Sequence, residues 1–153
     1  MESIEVVERV AGRVILLDPD DRVLLFQGFD PKRPDQRWWF TPGGGLEPGE
    51  AEREAAVREL REETGLTVLP QDLGDAVFSN YVEFMFDGKL LRQHNHFFAL
   101  RTGLFEVSTA GFDAMEQQTH VAHRWWSVEA LRGTEETIHP ENLADLVAGV
   151  LVI

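Results

Sequence analysis

No cysteine occurs anywhere in the chain, which excludes disulfides, thiolate metal ligands and thiol nucleophiles. Long apolar runs are missing too. A membrane-spanning helix needs about 20 such residues in a row, so no membrane association is expected. The opening stretch MESIEVVERV has neither the basic flank nor the apolar core of a secretory signal. Together these absences point to a reducing, cytoplasmic setting. Positive charge is also scarce, with 14 Lys and Arg against 27 Asp and Glu and a net charge of −13. A surface of that sign with no basic stripe repels a nucleic-acid backbone. Polymeric DNA or RNA is therefore not an expected partner, whereas charge alone leaves a small phosphate ester open, since cations can screen it. Internal repeats and low-complexity linkers are absent. A chain of 153 residues, 43% of them hydrophobic, suits one domain over 1–153 with a sizeable core.

What is present centres on residues 38–66, WWFTPGGGLEPGEAEREAAVRELREETGL. Gly43, Gly44 and Gly45 make a glycine turn, and Gly49 is an acceptable N-cap. Glu50 and Glu52 suit the positive end of a helix dipole, Ala55, Ala56 and Leu60 favour its interior, and Gly65 suits a left-handed C-cap. These signals predict a helix over 50–64. At about 100° per residue, Ala56, Val57, Leu60 and Thr64 gather in an apolar stripe. Arg58, Glu54 and Arg61 fall on the far side, toward water. Glu59, Glu62 and Glu63 converge on a strip beside the stripe.

Three carboxylates at i, i+3 and i+4 repel one another, at roughly 0.2–0.5 kcal/mol per pair on an exposed helix and more when partly buried. A hard divalent cation reverses the sign of that cost. All-oxygen ligation favours Mg²⁺ or Mn²⁺. The plainer reading is a solvated acidic helix face.

Gly44, five residues, Glu50, seven residues, then Arg58-Glu59-Leu60-x-Glu62-Glu63-x-Gly65-Leu66 resembles the signature box of the Nudix hydrolases, with every specified position filled. The flanking Trp39-Phe40-Thr41-Pro42-Gly43 and Glu47-Pro48-Gly49 are similar to the family as well. The resemblance implies an α/β fold, an α/β/α sandwich with a mixed β-sheet. It implies Mg²⁺-dependent hydrolysis of a pyrophosphate bond in a nucleoside diphosphate linked to another moiety. It also implies metal ligation by the Gly43 carbonyl, Glu59, Glu62 and Glu63, and bracing of the glycine loop and metal carboxylates by Glu50 and Arg58. Catalysis is then expected from Glu62, Glu63 and a downstream acid, with Arg58 in support. Glu116, in the stretch Gly103–Thr119 read as an irregular loop, is the candidate for that acid. His94, His96 and His120 are its rivals, because their ordinary pKa suits proton transfer near neutrality. A Nudix-like module that binds a nucleotide or a protein without catalysis is the alternative, but such a module is expected to lose box carboxylates. An acidic Ca²⁺ surface lacks the short Asp-rich loop of such sites.

Around this centre, residues 4–17 and Val23–Phe26 read as an apolar hairpin across the turn Asp18–Asp21. Gly28–Arg37 reads as a loop whose Lys32, Arg33 and Arg37 either touch a substrate phosphate or only solubilise. Trp38 and Trp39 read as packing rather than base-stacking groups. A strand from Asp75 to Phe86, the turn Asp87-Gly88 and a return strand to Arg101 follow, with His94 and His96 on one face as a metal pair or a polar pocket wall. Tyr81 resembles a tyrosine of relatives acting on dinucleoside polyphosphates. His120–Ser127 reads as a last strand, Ser127 as the cap of a short helix, and Leu143, Leu146, Val147, Val150 and Leu151 as the stripe of a closing helix. Exposed aromatic residues leave homodimerisation open.

Overall fold

Alternating apolar strands and two amphipathic helices assemble around one forked sheet in the computed structural model, which describes residues 3–152. Met1, Glu2 and Ile153 lie outside it. Strand β1 (Val6–Leu17) is the spine, followed by β2 (Val23–Asp30), β3 (Arg33–Phe40), β4 (Gly43–Gly45) and helix α1 (Glu52–Thr64). A 3₁₀ turn (Pro70–Leu73) leads to β5 (Phe78–Phe86) and β6 (Lys89–Arg101). Then come α2 (Ala114–Thr119), β7 (His120–Trp126), α3 (Val128–Gly133), β8 (Ile138–His139) and α4 (Leu143–Leu151).

The main path of the sheet runs β5-β6-β1-β2-β3-β8, with β4 added to β1 and β7 to β2. The β1–β6 ladder is parallel from Val6↔Leu90 to Leu17↔Arg101, and β3–β8 is parallel too. The remaining pairs are antiparallel, so the sheet is mixed as the resemblance implied. The expected hairpin between β1 and β2 is only a hinge. The two strands pair at Leu17↔Val23 and then part, because β1 takes up β4 and β2 takes up β7. The fork opens a cleft between two half-sheets.

Each face buries its own core. Ile15, Leu17, Val23, Leu25, Trp39, Phe97 and Trp126 pack with Leu131, Leu143 and Val147 of α3 and α4. Val14, Leu16, Leu24, Phe26 and Phe98 pack with Ala56 and Leu60 of α1 on the other face. The period of two along the strands thus sorts alternate residues onto opposite helix layers. Gly12 sets how closely α1 approaches. A Cβ there would lie 2.1 Å from the Glu52 carbonyl oxygen and 2.9 Å from the Ala56 nitrogen. Both are backbone atoms that no rotamer change can move. Gly12→Ala is therefore expected to lower stability by about 2 kcal/mol, read as a melting temperature several degrees below wild type.

Two expectations are corrected. Gly28–Arg37 is not a loop, since β2 continues to Asp30 and β3 begins at Arg33, paired through Gly28↔Trp38 and Phe29↔Arg37. Arg33 to Arg37 are all exposed, so the ribbon projects with both faces wet and lacks the apolar alternation that marks a half-buried strand. Gly103–Thr119 is not wholly irregular, because Asp113 and Glu116 cap α2 reciprocally. Glu116 N–H donates to Asp113 Oδ1 at 2.8 Å and Asp113 N–H to Glu116 Oε1 at 3.1 Å. That Asp-x-x-Glu spacing is a capping box legible in the sequence. Trp39 is buried against Trp126, ring centroids 5.2 Å apart, a packing role as expected. Among the described residues no helix is long and apolar enough to cross a membrane.

Candidate active site

The glycine turn and α1 meet at the mouth of the fork. Helix α1 begins at Glu52 with Ala51 as its N-cap, not at Glu50 as expected. The turn before it is tied by Glu47 N–H to Glu50 Oε1 at 3.0 Å, and Gly65 ends the helix with φ 82°. The three carboxylates of α1 form a graded series. Glu62 keeps 35% of its side chain exposed and Glu59 14%, and Glu63 is fully buried. Gly44 makes room for Glu59, since a Cβ on Gly44 would lie 2.5 Å from Glu59 Oε1. The Gly43 N–H donates to Glu63 Oε1 at 2.8 Å.

Arg58 does not face water as its azimuth suggested. Its Nε and Nη2 donate to the two oxygens of Glu50 at 2.8 and 2.9 Å, and Nη2 also to the Gly45 carbonyl at 2.9 Å. Its Nη1 reaches Glu59 Oε1 at 3.0 Å and Glu62 Oε2 at 3.2 Å. A long side chain bends back over the helix and gathers the acids, which azimuth alone does not show. Glu50 holds the guanidinium well above its ordinary pKa, and Arg58 in turn holds the Glu50 carboxyl below its own.

Downstream, α2 and β7 bring Glu116 and His120 to the same place. Ligand atoms of Glu63, Glu116 and His120 lie within 4.8 Å of one another, with His120 Nε2 3.6 Å from Glu63 Oε2 and 3.9 Å from Glu116 Oε2. Burial pushes the Glu63 carboxyl up to about 8, with Glu59 adding to the rise and the Gly43 N–H and Arg13 opposing it. Burial likewise pushes Glu116 up to about 7 and lowers His120. Burial also raises Glu59, against the pull of Arg58. Glu63 Oε2 is buried without a hydrogen-bond partner among the described residues. A buried carboxyl oxygen without a partner, beside a second carboxyl and an imidazole, makes a group whose chemistry fits a divalent cation.

A family model described as NUDIX domain matches residues 7–146. The chain belongs to the Nudix family. Nudix hydrolases generally use divalent metals, in keeping with the acidic group. The chain is 37% identical over 90 residues to an uncharacterized Nudix hydrolase, YvcI, of Bacillus subtilis (strain 168), covering 52% of each chain. It is 37% identical over 95 residues to CTP pyrophosphohydrolase of Escherichia coli (strain K12), covering 61% of each. The match thus spans about half the length of the first of these relatives. Among solved structures, MutT protein from Methanosarcina mazei Go1 superposes with a TM-score of 0.67 at 23% identity, over 96% of this chain and 95% of that one. The E. coli ORF135 protein superposes with a TM-score of 0.59 at 27% identity, over 97% and 91%. The Nudix fold is thereby established.

Other candidates lie apart from the acidic group. His94 and His96 share a face of β6, ring centroids 4.5 Å apart, with His96 Nε2 3.9 Å from Glu52 Oε1. No third nitrogen joins them among the described residues. Tyr81 is 58% exposed and opposes His94 across the β5–β6 ladder. Lys32, Arg33 and Arg37 stand exposed on the β2–β3 ribbon. An open cleft of about 400 Å³ adjoins His120, lined among others by Phe26, Phe112 and His123. The sequence reading missed this cleft, because its walls come from β2, β7 and the loop between β6 and α2.

Proposed function

We propose that the chain is a divalent-metal-dependent pyrophosphohydrolase that cuts an anhydride in a nucleoside diphosphate joined to a further group. The observation that carries this is the buried, unpartnered Glu63 oxygen facing Glu116 and His120, next to two further acids held by Arg58. Support comes also from relatives named CTP pyrophosphohydrolase, 8-oxo-dGDP phosphatase and RNA pyrophosphohydrolase.

Glu59, Glu62, Glu63 and the Gly43 carbonyl would hold Mg²⁺ or Mn²⁺. Such a cation supplies positive charge to the phosphoryl oxygens, where charge builds during attack by water. Glu116 accepts the proton as water oxygen bonds to phosphorus and the bridging P–O bond breaks. Its raised pKa, about 7, suits a base working near neutrality. His120 borders both Glu63 and Glu116, and the Asp113 N–H holds the Glu116 carboxyl in place. Arg58 keeps Glu59 and Glu62 in place from behind, as the bracing role implied. The aromatic-walled cleft beside His120 receives a flat group such as a base.

Phosphate release with and without Mg²⁺ separates this reading from a binding module without catalysis. Glu116→Gln is expected to lower turnover at least about tenfold, within the range of general-base contributions, while the cation affinity of the helix carboxylates largely survives. Unchanged turnover would remove Glu116 from the mechanism.

A further inference from the structure

Basic side chains are outnumbered almost two to one in this chain, so two cations that stand side by side near the glycine turn without a bonded acid call for a reason. Arg9 and Arg13 are such a pair. They stand four residues apart on β1 and share the face that carries Ile15 and Leu17. Among the described residues neither has a carboxylate oxygen within 4.0 Å. Neutral amides hold them instead. Arg9 Nε donates to Gln93 Oε1, Gln93 Nε2 to Asn95 Oδ1 at 2.6 Å, and Arg13 Nε to the same Asn95 oxygen at 3.1 Å. Asn95 Nδ2 donates on to Asn80 Oδ1 at 3.0 Å. Gln93 and Asn95 are almost fully buried. They aim the two guanidinium groups without neutralising either. Burial pushes Arg13 down to about 10, Glu63 opposes the fall and Arg9 adds to it. Both arginines stay charged near neutrality and repel each other.

Their place connects them to the acidic group. Arg13 opposes Gly43 across the β1–β4 pair, and its Nη1 donates to the Thr41 carbonyl at 2.9 Å. The Arg9 side chain lies alongside Gly45, 3.5 Å from where a Cβ would stand. Glu63 thus has His120 and the cleft on one side and the Gly43–Arg13 rung on the other. Both terminal nitrogens of Arg9 and the Nη2 of Arg13 have no hydrogen-bond acceptor among the described residues. Two adjacent guanidinium forks with free donors match the planar oxygen pairs of a phosphate.

We propose that Arg9 and Arg13 form an anion site for a substrate phosphate beyond the anhydride that is cut. The preferred substrate is then a nucleoside triphosphate or longer polyphosphate rather than a nucleoside diphosphate joined to an uncharged sugar. An uncharged group there would leave two neighbouring cations with no directly bonded counter-charge. A further phosphate supplies it and relieves their repulsion. This rests on the hydrolase reading for which anhydride is cut, but the anion site itself can be measured without turnover.

The test is calorimetric binding of inorganic tripolyphosphate and of pyrophosphate to the full chain with Mg²⁺, followed by steady-state rates on a nucleoside triphosphate and on ADP-ribose. Wild type is expected to prefer tripolyphosphate, and Arg9→Gln to reduce that preference about tenfold, the scale of one lost charge-assisted contact. Arg9→Lys, which keeps the charge but not the fork, is expected to fall between. On the nucleoside triphosphate the loss appears in KM more than in kcat. Thermal melts of each variant show that the fold is intact. Equal affinity of wild type for the two anions, or a preference that Arg9→Gln does not change, overturns the anion site, as does faster cleavage of ADP-ribose than of the triphosphate. Preferential tripolyphosphate binding without hydrolysis of either nucleotide supports the anion site and removes the hydrolase reading instead.

Discussion

Glu63→Gln is expected to make the metal-free protein more stable at pH 8 while lowering Mg²⁺-dependent turnover by at least about a hundredfold, as loss of a charge-stabilising group does. Glu63 is fully buried, and its carboxyl sits at about 8 against an ordinary value of 4.5. Below pH 4.5 the group is protonated in the folded and unfolded chain alike and costs nothing. Between 4.5 and about 8 the unfolded chain has released the proton and the folded chain has kept it. The unfolded state then binds fewer protons, so stability falls as pH rises. Metal-free wild type should therefore melt several degrees lower at pH 8 than at pH 5. Glutamine stays neutral throughout, and its amide oxygen can still accept the Gly43 N–H. The variant should lose part of that pH slope, the rest remaining from Glu116, which sits at about 7, and from Glu59, which burial also raises. Added Mg²⁺ should raise the melting temperature of wild type at pH 8 and barely affect the variant. A variant that melts lower at pH 8 and keeps the wild-type response to Mg²⁺ would contradict this account.

Arg58→Met should have the largest effect on the fold near the site. Arg58 is the cation bonded to Glu50, Glu59 and Glu62, with Glu47 a further 3.7 Å contact. Its side chain is only 16% exposed. Removing one partner from a largely buried charge network costs on the order of 3–5 kcal/mol, here because the acids then face one another uncompensated. The expected fall in melting temperature is about 10 °C, with turnover lost alongside it. Saturating Mg²⁺ should restore part of the stability, because cations replace some of the missing positive charge. A fall of less than about 2 °C would show that the acids do not depend on Arg58.

Much of this organisation is local and was legible in the chain. The left-handed stop at Gly65, the Asp87-Gly88 turn with φ values of 51° and 78°, and the Ser127 cap, whose oxygen accepts from Ala130 N–H at 3.0 Å, depend on a few neighbouring residues. Spacing along one helix is enough to put Glu59, Glu62 and Glu63 on a common strip, and the box that contains them identifies the Nudix family. Helical azimuth gives the direction of a Cβ and not the reach of a long side chain. That is why azimuth alone places Arg58 toward water, whereas its guanidinium bends back to Glu50, Glu59 and Glu62.

What the sequence determined by itself is the family, the helix, its carboxylates and the scarcity of compensating positive charge. Only the tertiary structure decided which acid is buried, which downstream residues meet it, and that Arg9 and Arg13 lie on amides rather than acids. The physical reason is range. Periodicity and capping act over a few residues and follow from local backbone geometry. The contacts of Glu63 with Gly43 and His120, and of Arg13 with Asn95, join segments 20 to 82 positions apart. The Arg13 contact follows from the parallel β1–β6 ladder, and those of Glu63 form where β4, α1 and β7 are brought together at the fork between β1 and β2.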